Sequence, residues 1–374
     1  MSIVIIGAGL AGGTAATELR EQGYDGQVVL VGAEEHPPYE RPPLSKGYLL
    51  GNDALDDAFL HPRDWYGEHD IDLRLGVEAT GLDTDAHVVT TSSGDLTYER
   101  LLLATGAEPR RLAVAEDSGV PTAYLRTIED SDRLKDAFAA GGRIAVVGAG
   151  WIGLEVAAAA REAGCDVTVF ETAELPLLRV LGPTVAQIFA DLHREHGVDL
   201  RLGTSVSAGD LRGADLVVAG VGVSPRLDLA RSGGLAVDDG VLVDAALRTS
   251  VPSVLAVGDI ASHAHPVLGR RIRVEHWDTA INQAKVAAHN LAGADEAYDA
   301  MPYFFTDQYD LGMEYVGHAS GDDEVVVHGD LAGRAFRAFW TRGGRVVAAM
   351  HANDWDATDD LRAAVDTGDL PPAP

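Results

Sequence analysis

Residues 3–6 (IVII) and 144–147 (IAVV) are two runs of four apolar, mostly β-branched positions, each followed at once by a glycine-rich turn and then by an apolar segment of helical period. An unbroken apolar run of this length, rather than alternation, predicts a strand covered on both faces, as in a parallel sheet. Past the first turn, GTAATELREQG reads as an amphipathic helix and QVVLVGAEE as a second strand; past the second turn, LEVAAAAREAG and DVTVFE repeat the helix and the strand. Two βαβ units on parallel sheets are therefore predicted, which makes the fold class α/β.

The turns themselves carry chemistry. IVIIGAGLAG at 3–12 and IAVVGAGWIG at 144–153 both follow the G-x-G-x-x-G pattern. In such a turn the first glycine (Gly7, Gly148) permits the sharp bend and the second (Gly9, Gly150) lets backbone approach a pyrophosphate. The third (Gly12, Gly153) lets helix and strand pack closely. The phosphates are expected at the helix N-termini, where free amides and the macrodipole favour negative charge. A lone G-x-G-x-x-G is weak evidence, but each copy here lies between a strand and a helix, so two nucleotide cofactors are expected. The second strands end in Glu34 and Glu35 in the first copy and in Glu171 in the second. An acid at this place accepts from ribose hydroxyls and repels a 2′-phosphate, and Thr172 and Ala173 supply no cation, so the second site is expected to take NADH rather than NADPH.

Length and composition narrow the picture further. A chain of 374 residues suggests two or three domains. The N-terminus enters its first strand without a basic stretch before an apolar region, so no signal peptide and a cytoplasmic location are expected. The longest apolar candidate, 144–160, is interrupted by Glu155 and explained by the glycine turn, so no membrane span is expected. Cys165 is the single cysteine, which excludes an internal dithiol–disulfide site and a cysteine-rich metal or iron–sulfur site. It falls in the turn after the second glycine-turn helix and reads as a small buried residue. His193 and His196 lie three apart on a helix with no third ligand beside them, so a solvated helix end is expected rather than a metal site. The formal charge of −29, with only Lys46, Lys135 and Lys285 as lysines, argues against nucleic-acid or anionic-membrane binding. The acids are spread along the chain rather than blocked, which points to a salt-adapted or biased composition rather than a basic partner.

Between the two copies lies PPYERPPLSK at 37–46, in which four prolines stiffen a segment carrying Arg41 and Lys46. This loop, the doubled turn, LLLATGAEPR at 101–110, YLRTIEDS at 124–131, VLAVGDIA at 254–261, VEHWDTAINQAKVAAHNLAG at 274–293 and PYFFTDQYD at 302–310 resemble the FAD-dependent ferredoxin reductases of bacterial oxygenase systems. The resemblance covers nearly the whole chain in order. It implies a glutathione-reductase-type fold of tandem Rossmann-like domains with a small C-terminal α/β domain. FAD would lie on residues 1–108 and 226–301, NAD on 109–225, and the C-terminal domain would be 302–374.

The same resemblance implies the roles of individual residues. The first copy would then hold FAD, with Glu34 on the adenosine ribose, Gly258 against the pyrophosphate and Asp259 on a ribityl hydroxyl. Arg126 would contact FAD, Ala79 the adenine region through its backbone, and Trp277 the flavin. Ala11, Arg41, Thr105, Gly106, Glu275, His276 and Phe305 complete the implied FAD contacts, and Ile152 and Gly222 those of NADH, Gly222 on the nicotinamide side. Lys46 would stand near the hydride-accepting ring nitrogen, paired with Glu155, as the catalytic pair. Two departures from the pattern are Phe305, where many relatives carry tryptophan, and a shorter C-terminus that contains ANDWDATDDLRAAV and ends PPAP.

Hydride transfer from NADH to FAD, then single-electron transfer to a small [2Fe–2S] ferredoxin feeding an oxygenase, is the function the resemblance implies. A rubredoxin, oxygen or a quinone is the alternative acceptor on the same fold, and an NADH-sensing flavoprotein with a binding role is the alternative outside enzymology. Because both partners would be acidic, docking is expected on arginines, either Arg270, Arg271 and Arg273 or Arg334 and Arg337.

Overall fold

The computed structural model describes residues 2–372; the last two residues of the terminal PPAP lie outside the described residues. The described chain divides into two units. One comprises the chain up to Arg41, Leu55–Glu108 and Ser224–Ala300; the other comprises Pro42–Ala54, Pro109–Val223 and the chain from Met301 onward.

The first unit is built on a five-stranded sheet in the order Val254–Ala256, Arg100–Leu103, Ser2–Ile6, Gln27–Val31, Ile71–Arg74, parallel throughout. Ser2–Ile6 is the central strand, and Ile3 and Ile5 are fully buried, which is why its sequence is continuously apolar. The helices Leu10–Glu21 and Trp277–Ala292 lie against each other on this core, with Ala15, Ala16, Ala284, Ala287 and Ala288 all buried. Their small side chains permit the close approach.

The second unit repeats the plan with strands Asp199–Arg201, Asp166–Phe170, Arg143–Val147, Leu216–Ala219 and Thr122–Ala123. Arg143–Val147 is again central. The unit also holds an antiparallel sheet in the order Tyr303–Gln308, Leu311–Gly317, Arg345–Ala352, Ala335–Arg342, Glu324–Asp330, covered by the helix Thr358–Thr367. Val146, Leu154 and Phe189 share one apolar cluster with Trp340 and Met350, so the two sheets of this unit have a common core. Leu49, from the segment that follows the proline loop, belongs to it as well.

Both helices that follow the glycine turns start about one turn earlier than their apolar pattern suggests, at Leu10 and Trp151. Gly9 and Gly150 are their N-cap residues in extended conformation, and neither cap carries a side-chain hydrogen bond. Cys165 is fully buried, and burial pushes its thiol pKa up, against a smaller opposing effect of Arg161. The expectation for His193 is corrected: it is fully buried rather than solvated, because the helix Leu178–Glu195 packs that side against Tyr303–Gln308. His196 stacks on Tyr309 with ring centroids 3.7 Å apart. Among the described residues no helix is long and apolar enough to cross a membrane.

Candidate functional site

The glycine turns divide their labour as expected. Gly7 has φ +113°, and a Cβ there would stand 2.1 Å from the carbonyl oxygen of Ala104; Gly148 has φ +102° and faces the Gly220 oxygen at 2.4 Å. These are positions that only glycine fills. A Cβ on Gly12 would stand 1.9 Å from the Gly7 oxygen, and one on Gly153 2.0 Å from the Gly148 oxygen, so both serve helix–strand contact. By contrast, a Cβ on Gly9 or Gly150 would meet nothing within 4 Å. No protein atom explains glycine there, and each stands open at a helix N-terminus, a setting that favours an anion.

The segments LLLATG and LVVAGVG prove to be counterparts. Each is the strand beside the glycine turn in its own unit, and each ends in a positive-φ glycine, Gly106 or Gly222. That equivalence was visible in the sequence as a second repeat but lies too far from the turns to be paired with them by spacing.

In the first unit the structure places Gly7, Gly9, Ala11, Gly12, Glu34, Arg41, Ala79, Thr105, Gly106, Gly258, Asp259, Glu275, His276 and Trp277. The 3-10 turn Gly258–Ile260 brings Gly258 (φ +72°) up to the first glycine-turn helix, where a Cβ would lie 3.4 Å from that of Ala11. The Gly258 amide donates to Gln283 Oε1 at 2.9 Å, a buried contact that no local motif marks, since Gln283 lies mid-helix. Glu34 holds both Tyr39, whose hydroxyl donates at 2.6 Å, and Arg41, at 2.9 Å. His276 caps the helix Trp277–Ala292, and Glu275 pairs with Arg273. Thr105 donates to the Arg226 oxygen at 3.1 Å, and Ala79 opens a bulged edge strand.

In the second unit stand Lys46, Arg126, Gly148, Gly150, Ile152, Gly153, Glu155, Glu171, Gly222 and Phe305. Glu171 accepts from the amides of Ala149 at 2.8 Å and Ala173 at 2.9 Å, and from the Thr172 hydroxyl at 3.0 Å. Burial works to raise its pKa, but these donors outweigh burial and hold it below the usual 4.5. A depressed folded-state pKa gives stability that is present above the unfolded value and lost as pH falls through the lower folded value. Glu171→Gln is therefore expected to lower the midpoint of thermal unfolding at neutral pH and to leave it nearly unchanged in acid below the folded-state pKa of Glu171. Scanning calorimetry across that range checks this, and an equal loss at both ends would refute it. Ile152 is 45% exposed at the helix N-terminus.

Lys46 and Glu155 come together as expected: Nζ lies 2.7 Å from Oε1, with the lysine 18% and the glutamate 4% exposed. The lysine also stands over the Phe305 ring at 5.5 Å. What positions it was not foreseen. Ser131 donates to the Leu44 carbonyl at 2.8 Å and Tyr48 to Asp132 at 2.5 Å, so the helix Ile128–Ala140 holds the chain on either side of Lys46. The start of YLRTIEDS has its own structural reason, since Thr127 and Asp130 form a capping box and Asp130 also accepts from the Arg126 amide.

Most of the arginines expected to dock a partner are already engaged within the chain. Arg271 donates to the Val243 and Ser262 carbonyls, and Arg273, 9% exposed, is held by Asp239, Glu275 and the Asp259 carbonyl. Arg334 pairs with Glu195 and Asp310, and Arg337 with Asp354 and Asp360. Arg273, Arg334 and Arg337, each paired with carboxylates, offer a partner less positive field than their number suggests.

Comparison with known proteins agrees with this geometry. The profile of the pyridine nucleotide-disulphide oxidoreductase family matches residues 1–284, and that of a reductase C-terminal domain matches residues 303–373. The anthranilate 1,2-dioxygenase system ferredoxin–NAD(+) reductase component of Burkholderia cepacia is 40% identical, over 98% of this chain and 95% of that one. Putidaredoxin reductase of Pseudomonas putida is 39% identical, over 94% and 88%. Among solved structures, the covalent putidaredoxin reductase–putidaredoxin complex superposes with a TM-score of 0.92 at 37% identity, covering 98% of this chain and 93% of that chain.

Proposed function

Since the chain belongs to the pyridine nucleotide-disulphide oxidoreductase family, we propose that it is an FAD-dependent reductase taking hydride from NADH and passing single electrons to a small [2Fe–2S] ferredoxin. The observation that carries this reading is the pair of glycines, Gly9 and Gly150, each open to space at an uncapped helix N-terminus. Two such places suit two nucleotides. With Cys165 the single cysteine, and buried, no internal disulfide can relay electrons, so they leave from the flavin itself. The reductase names carried by the two relatives supply the partner class.

On this reading, FAD belongs to residues 1–108 and 226–301 and NADH to 109–225, with 302–374 as the C-terminal domain. The flavin, once bound, supplies the conversion from two-electron to one-electron chemistry. The chain's own residues bind and orient. The amides at the start of Leu10–Glu21 and Trp151–Glu162 receive pyrophosphates, and Asp259 accepts from a ribityl hydroxyl. Glu171 stays ionised and turns a 2′-phosphate away. Lys46, fixed by Glu155, sets a positive charge where negative charge develops on hydride arrival.

The test is anaerobic. Purified protein should carry a yellow chromophore that NADH bleaches and NADPH bleaches far more slowly, and a [2Fe–2S] ferredoxin should then couple the reaction to cytochrome c. Bleaching without ferredoxin-dependent reduction would move the acceptor to rubredoxin, oxygen or a quinone. A colourless protein that FAD cannot reconstitute would refute the proposal.

A further inference from the structure

Behind Lys46, the second unit contains a line of buried polar side chains that the apolar core would not tolerate without a purpose. Thr306, Gln308 and His193 are 0%, 1% and 0% exposed, and all three lead to Glu155. Thr306 Oγ1 lies 2.5 Å from Glu155 Oε1, and Ser45 Oγ lies 2.5 Å from Oε2. Gln308 Nε2 lies 3.2 Å from Thr306 Oγ1, and its Oε1 lies 2.9 Å from His193 Nε2.

The direction of every proton follows from the first pair. A carboxylate facing the Lys46 ammonium at 2.7 Å only accepts, so both hydroxyls donate to it. Thr306 has one proton and gives it to Glu155, so its oxygen accepts from the Gln308 amide. The Gln308 carbonyl oxygen is thereby turned to His193, whose Nε2 must carry the ring proton. Nδ1 is then the bare nitrogen, and it is buried without a hydrogen-bond partner among the described residues. Burial, partly offset by Gln308, lowers the His193 pKa to about 4, which agrees with a neutral ring.

We propose that His193, Gln308 and Thr306 are positioning residues, a one-way hydrogen-bond chain that fixes the Glu155 carboxylate and, through it, the ammonium group of Lys46. The chain starts on the helix Leu178–Glu195, passes through the strand Tyr303–Gln308 and ends on the helix Trp151–Glu162. This deepens the flavoprotein reading and rests on it for its consequence, although not for its geometry.

Nitrogen-15 NMR of histidine-labelled holoenzyme reads the geometry directly, with the His193 signals assigned by their absence in His193→Asn. The expected spectrum at neutral pH is a neutral ring protonated at Nε2, and in Gln308→Leu that tautomer preference is lost. A proton on Nδ1, or a charged ring, overturns the chain whatever the enzyme does. The consequence is read in single-turnover reduction by NADH. Thr306→Val, which keeps shape and removes the donor, is expected to slow reduction about tenfold, and Thr306→Ser to recover most of that loss. A Thr306→Val enzyme as fast as wild type overturns the positioning role even with the tautomer as stated. Failure of NADH to reduce the wild-type protein overturns the proposed function instead, and the spectrum still decides the chain.

Discussion

Gly12→Ala and Gly153→Ala unfold or severely destabilise their units, while Gly9→Ala and Gly150→Ala leave a folded protein that has lost nucleotide. The same substitution is made in the same turn, so only the surroundings differ. In a helix interior, alanine gains ~1 kcal/mol over glycine in propensity. At Gly12 that gain is overwhelmed, because the new Cβ would lie 1.9 Å from the Gly7 carbonyl oxygen, which is backbone that joins the central strand to the helix. Relieving such an overlap means moving strand or helix, at a net cost of ~3 kcal/mol or more. Gly9 has φ −83° and ψ −169°, which any residue adopts, and its Cβ would meet nothing within 4 Å. Alanine there costs only the weaker cap, ~0.5–1 kcal/mol. Thermal unfolding of the apoproteins, together with flavin retained after desalting, separates the two classes. A Gly9→Ala protein that keeps FAD as tightly as wild type would mean the open face of Gly9 is not where the pyrophosphate lies.

Lys46→Met produces the second large effect, in two readouts. Glu155 is 4% exposed and would remain buried with only Ser45 and Thr306 to solvate it, so truncating its cation costs ~3 kcal/mol. If Lys46 stands where hydride arrives, as proposed, loss of its charge slows reduction by NADH about a hundredfold. The two effects separate in a cycle with Glu155→Gln. In the double variant the buried carboxylate is gone and stability returns towards wild type, but the rate stays low, since neither change restores the cation. Denaturant melts and stopped-flow bleaching measure the two axes. A rate that recovers along with stability would show that Lys46 serves only to neutralise Glu155.

Much of this could be read from the chain because it is local or periodic. The two glycine turns announce themselves, since strand, turn and helix are consecutive and the first and third glycines of each have a steric reason. Glu171 was identifiable by its distance from Gly148, and Lys46 by its setting among prolines and its scarcity. The contacts that hold Lys46 in place were not legible, because they join residues far apart in sequence: Ser45 with Glu155, Thr306 with Glu155, Ser131 with Leu44. Serine, threonine and glutamine are common, and nothing in their neighbourhoods marks a buried acceptor waiting for them. The state of the candidate docking arginines was not legible for a related reason. Charge is visible in a sequence, but whether a guanidinium is already paired depends on carboxylates such as Asp239, Asp354 and Asp360, which only folding brings near.

The two anchors from the helix Ile128–Ala140 hold the chain at Leu44 and Tyr48, only two residues to either side of Lys46. So short a tether makes the decapeptide PPYERPPLSK untransferable. Grafted onto another scaffold, it would bring its prolines and its lysine but not the address at which the lysine is delivered. Conversely, variation at Ser131 or Asp132, which a survey of binding motifs would pass over, is a remote dial on this enzyme. On the proposed reading, evolution or a protein engineer could retune the charge beside the flavin from there without altering a single residue that touches the cofactor.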